Sequence, residues 1–130
     1  MKTPALEPEV VEGESQTREI SRAMVTLFKE HVGRGPTVAK TFIHDELVVC
    51  MLHDTMTKAE KTLTDEDKAD EVRQIRRSFQ GLFREEASAI VERIVGRPVI
   101  AFLSDHAVDP DWAIEAFVLE SGRDNGGSAS

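Results

Sequence analysis

Cysteine is nearly absent from this chain. Cys50 stands alone, which excludes an internal disulfide framework. It lies in the apolar run LVVCML and reads as a buried thiol. Tyrosine is missing, and Trp112 is the only tryptophan. No apolar run reaches the ~18 residues that a membrane span needs, which excludes direct insertion through a helix. The first residues lack the basic start and apolar core of a signal peptide. Positive charge is in deficit, with a net charge of −8. That balance argues against broad binding to nucleic acid, which rests on neutralising phosphates. It also argues against adsorption to anionic lipid. These absences together predict a cytoplasmic protein. No arrangement of serine, histidine and acid, or of cysteine and histidine, has local support as a nucleophile.

What is present organises around one stretch, Asp70–Val95. Val72, Ile75, Phe79, Leu82, Phe83, Ala87, Ile90, Val91 and Ile94 recur at spacings of three and four. This predicts one apolar helical stripe, about 39 Å long, able to floor a small domain. Gly81 interrupts it and suggests a close approach by another element. Before it, Met1–Glu14 reads as a mobile acidic tail. A helix follows from Ser15 or Thr17, with Ile20, Ala23, Met24, Leu27, Phe28 and Val32 as its stripe. Val38–His53 is strand-like on both sides of His44-Asp45-Glu46 and reads as a hairpin. Thr57 and Glu60 form a capping box for a short helix, Lys58–Leu63. Val99–Leu103 reads as a buried strand, Ser104–Asp111 as a polar turn and Ala113–Glu120 as a last strand. Ser121–Ser130 is a Gly/Ser-rich tail. The fold class is therefore α+β, ordered helix, hairpin, helix, hairpin. Residues 15–120 form a single domain, with a mostly antiparallel four-stranded sheet against the long helix. An open sheet has edges and a second face, which predicts a homodimer.

Gly33-Arg34-Gly35-Pro36-Thr37 invites a phosphate-loop reading. Phosphate loops precede a helix and use its positive end, whereas this loop follows one. It reads instead as a helix stop at Gly33, with Arg34 left as an anion-binding candidate.

Four signatures stand in order: GRGPT (33–37), HDELVV (44–49), RRSFQ (76–80) and GRPVIAFLSDHAVDPDWAIEAFVLE (96–120). Together they resemble the MpsC-like family, over about Ser15 to Glu120. The resemblance implies a small, non-enzymatic accessory protein of a cation-translocating, membrane-potential-generating system. Its protein partner would sit in that membrane complex. The family carries over no catalytic residue and no cofactor.

The residues offer two candidate surfaces. Asp105, His106, Asp109 and Asp111 crowd into eight residues and carry ligands suited to Mn, Zn or Fe, but turn chemistry explains the same acids. This leaves a small-ligand or metal-binding regulatory module as the alternative function. His44 and His53 also lie near turns, and His44 would approach His106 at one end of the sheet if the two hairpins were neighbours. The long helix carries Arg73, Arg76, Arg77 and Arg84. Arg76 and Arg77, with Arg34, Gln80 and Trp112, are the partner-binding candidates.

Overall fold

The computed structural model describes residues 9–10 and 15–121. In chain order the elements are β1 (Glu9–Val10), α1 (Ser15–His31), β2 (Val38–His44), β3 (Leu47–His53), α2 (Lys58–Asp65), α3 (Ala69–Val95), β4 (Val99–Ala107) and β5 (Trp112–Leu119). The sheet order is β1-β2-β3-β5-β4. β2 to β5 pair antiparallel, and β1 adds two parallel residues beside β2. The α+β class, both hairpins and the four antiparallel strands are as expected. The expected tail Met1–Glu14 contains β1, and the rest of it lies outside the described residues. Of the expected C-terminal tail, only Ser121 is described.

Local chemistry sets the element ends. Gly33 and Gly96 stop α1 and α3 at φ +89° and +74°, a backbone region that glycine enters without a Cβ clash. The Thr57 hydroxyl accepts the Glu60 N–H, and the Glu60 carboxylate accepts the Thr57 N–H, so the capping box is formed. Asp45-Glu46 alone turns the first hairpin, with Asp45 at φ +53°.

α1 and α3 lie side by side on one face of the sheet. Ile20, Met24, Leu27 and Phe28 from α1 meet Phe83, Ala87 and Val91 from α3 over Val48, Leu52, Phe117 and Leu119. Alternation along the strands sends every second side chain into this core. A smaller cluster of Met56, Val72 and Val108 seals the α2 end.

The long helix differs from its predicted stripe in two places. Ile75 is 36% exposed and Leu82 is 64% exposed. The inward line runs Val72, Arg76, Phe79, Phe83, Ala87, Val91, and an arginine takes a position that periodicity alone would assign to a hydrocarbon. Gly81 also departs from expectation. A Cβ built there meets nothing within 4 Å, so no element approaches it. Gly81→Ala is therefore expected to raise stability by about 1 kcal/mol, read as a higher midpoint in urea with an unchanged slope.

β4 is longer and more exposed than the predicted buried strand. It runs through Ser104, Asp105 and His106, and the turn shrinks to 108–111. As an edge strand it leaves Ile100 and Leu103 65% and 59% exposed, with a register shift between Val99 and Ala101.

Candidate functional site

Polar side chains cross the core in one row. The strand registers align Thr41 with Cys50, Cys50 with Glu115 and Glu115 with Ser104, all facing the helices. Ser21 of α1 closes the row, its hydroxyl 2.7 Å from that of Thr41. The Thr41 hydroxyl also donates to the Cys50 sulfur at 3.4 Å. Burial pushes the Cys50 thiol up to about 12, so it stays protonated and unreactive.

Glu115 is the costly member of this row. It is 2% exposed, and its Oε1 has no hydrogen-bond partner among the described residues. Burial pushes its carboxyl up to about 8, against the Ser104 hydroxyl and the Arg76 charge, which both favour the carboxylate. At neutral pH it is mostly a neutral acid.

Arg76 is held next to this row by a different acid. Its Nε donates to Glu60 Oε2 at 3.0 Å, and its Nη2 to Glu60 Oε1 at 2.8 Å and to the Thr55 carbonyl at 2.7 Å. Both residues are buried, at 6% and 3% exposure. The fork geometry matches a carboxylate edge and offsets the desolvation of both charges.

His106 and Asp111 complete the cluster across the β4–β5 turn. His106 Nε2 lies 2.9 Å from Asp111 Oδ1. Asp111 Oδ2 accepts the Met56 N–H at 2.8 Å. Burial opposes ionisation of Asp111, but the His106 and Met56 bonds outweigh it and hold the carboxyl below its ordinary value. His106 Nδ1 is buried without a partner among the described residues. A partly open pocket lined by Arg76, Phe79, Phe83, Ser104, His106 and Glu115 has an inner space of about 10 Å³. That is room for about one water molecule, not for an organic substrate.

The sequence-predicted residues separate under this geometry. Of the four proposed metal ligands, His106 and Asp111 meet. Asp105 and Asp109 are exposed, and Asp105 accepts its neighbour's N–H. His44 does not approach His106. The hairpins are neighbours, but His44 pairs with Leu47 at one end of the sheet and His106 with Ala113 at the other, where His53 lies. Among the described residues, Glu30, His31 and Glu86 are the acids and histidine whose ligand atoms lie within 4.8 Å of one another. His31 Nε2 sits 2.6 Å from Glu86 Oε1, a side-chain hydrogen bond between α1 and α3.

The partner-binding candidates divide as well. Arg76 is inside the fold and offers no surface. Arg34 is half-buried and its Nε donates to the Asp54 carbonyl at 2.9 Å. Trp112 stacks on His53 with ring centroids 4.4 Å apart, while 43% of it stays exposed. Arg77 is exposed on the outer face of α3. Gln80 lies on α3, its side chain outside the described part. Arg73 pairs with Asp70, and Arg84 lies over the Phe102 ring.

Sequence reasoning missed Glu115, although a signal for it existed. In AIEAFVLE, Glu115 shares parity with Ala113, Phe117 and Leu119, the residues that face inward. Arg76 was similarly legible at four residues after Val72 and three before Phe79.

The arrangement defines a small α+β protein with a buried Arg76–Glu60 ion pair and a His106–Asp111 hydrogen bond beside the buried acid Glu115. A family model described as "Na+-translocating membrane potential-generating system (MpsC)" matches residues 13–121. The chain belongs to the MpsC family. No curated protein and no solved structure matches it. Among the described residues, no helix is long and apolar enough to cross a membrane.

Proposed function

We propose that this chain is a non-enzymatic, cytoplasmic accessory protein that binds a membrane component of a Na+-translocating, potential-generating system. Membership of the MpsC family over residues 13–121 carries the reading. The buried cluster supports a role without chemistry, because Arg76 and Glu60 are committed to each other, His106 Nε2 to Asp111, and the space beside them suits about one water. The outward face of α3 around the exposed Arg77 is the contact surface of this reading. A tagged pull-down from gently solubilised native membranes tests it. Recovery of a cation-translocating subunit by mass spectrometry is the expected result. Recovery of the tagged protein alone, from the soluble fraction, contradicts it.

A second reading, a small-ligand or metal-binding regulatory module, draws on one observation. His106 Nδ1 and Glu115 Oε1 are both buried and unpartnered among the described residues, and both residues line the same small pocket. Elemental analysis discriminates the two. Stoichiometric metal that is lost in His106→Ala favours the module, and metal-free protein that still binds its membrane partner rejects it.

A further inference from the structure

The sheet face away from the helices is almost entirely hydrocarbon, and its few charges are placed in a pattern. The strand registers align the side chains of this face into rows that cross four strands. One row is Phe42, Val49, Ala116 and Leu103, apolar across β2, β3, β5 and β4. Phe42 and Leu103 are 51% and 59% exposed, although both are large and apolar. The adjacent row is Lys40, Met51, Ile114 and Asp105. It has a cation on β2, an anion on the β4 edge and hydrocarbon on the two strands between them.

We propose that two copies of this chain pack these open faces together about a two-fold axis parallel to the strands. That axis lays β2 of one copy over β4 of the other and preserves position along the strands. Lys40 of each copy then falls opposite Asp105 of its partner, twice by symmetry. The other face-to-face axis, across the strands, stacks β2 on β2. It gathers both lysines on one edge and both aspartates on the other, which like-charge repulsion opposes. Four strands about 4.8 Å apart and four rows about 6.8 Å apart give a flat footprint of ~500 Å². Side-chain relief raises the accessible area of such a face toward the ~800 Å² per partner of a standard interface. This inference does not depend on the membrane partner, since it uses only the face opposite α1 and α3.

Sedimentation equilibrium on the full chain across roughly 1–100 µM tests it. The wild type is expected to dimerise, and Leu103→Asp to be monomeric throughout, with the thermal melt that wild type shows when diluted to monomer, because Leu103 packs mainly against solvent. Lys40→Asp and Asp105→Lys are each expected to weaken the dimer about tenfold or more, and the double swap to restore it to within about threefold. A wild type that stays monomeric overturns the proposal. So does a dimer indifferent to Leu103→Asp, which would use another face, or a double swap as weak as the single variants, which would require another axis.

Discussion

Arg76→Met is expected to lower the unfolding free energy by about 3–5 kcal/mol, the usual loss when one partner of a buried ion pair is removed. The substitution keeps most of the side-chain volume and removes the charge and three hydrogen bonds, two to Glu60 and one to the Thr55 carbonyl. Glu60 is then left buried without a counter-charge, and the cost follows from that. Changing Glu60 to glutamine in the same chain is expected to recover much of the loss, while the amide oxygen still serves the Thr57 cap. Urea denaturation of the two single variants and the double variant measures this coupling. An Arg76→Met protein as stable as wild type would mean that Arg76 is a surface group, as its place in an arginine-rich helix suggested.

Glu115→Gln is expected to stabilise the fold, by an amount that grows with pH. The folded carboxyl titrates near 8 because burial outweighs the Ser104 and Arg76 contributions, while the unfolded carboxyl titrates near its ordinary value of 4.5. Between those values the folded protein keeps a proton that the unfolded chain has lost. Wild-type stability therefore falls as pH rises from about 4.5 to about 8 and levels off above that. At ~1.4 kcal/mol per unit, the variant gains roughly 3 kcal/mol over wild type at pH 7 and little below pH 4.5. Asp111 acts in a different window. Its carboxyl is held below the ordinary 3.8, so its contribution is present above that pH and is lost in more acid solution. Denaturant midpoints of wild type and Glu115→Gln from roughly pH 2 to pH 9 would separate the two groups. Parallel curves for the two proteins would show that Glu115 is ionised and solvated in the native state.

The sequence carried the secondary structure further than the site. Thr57 with Glu60, Gly33 and Gly96 each specify an element end by local chemistry, and each end lies where that chemistry puts it. The apolar runs around Asp45-Glu46 and in 113–120 specify strands because their composition suits a half-buried sheet. Local chemistry does not specify which strands become neighbours. The β3–β5 pairing, which sets His106 beside the His53 end and away from His44, is a long-range choice. The long helix was misread for a related reason. A wide stripe accommodates Ile75 and Leu82 by spacing, but the surface that covers α3 is narrow and takes Val72, Arg76 and Phe79 instead. Arg76 reads as a solvated charge until α2 delivers Glu60 to it. Ile100 and Leu103 sit in an apolar run that reads as interior. They are exposed because β4 is the last strand and its outer face meets no helix.

On the proposed function, inward groups of α3 and the sheet hold the fold, and outward groups of α3 bind the partner. Capture of the membrane partner by Arg77→Glu and by Glu115→Gln, side by side with wild type, tests that separation most directly. The account predicts that Arg77→Glu loses capture with an unchanged melting temperature, and that Glu115→Gln retains capture with a raised one. Retained capture by Arg77→Glu, with capture lost in a stable Glu115→Gln protein, would contradict it and place the function in the buried cluster.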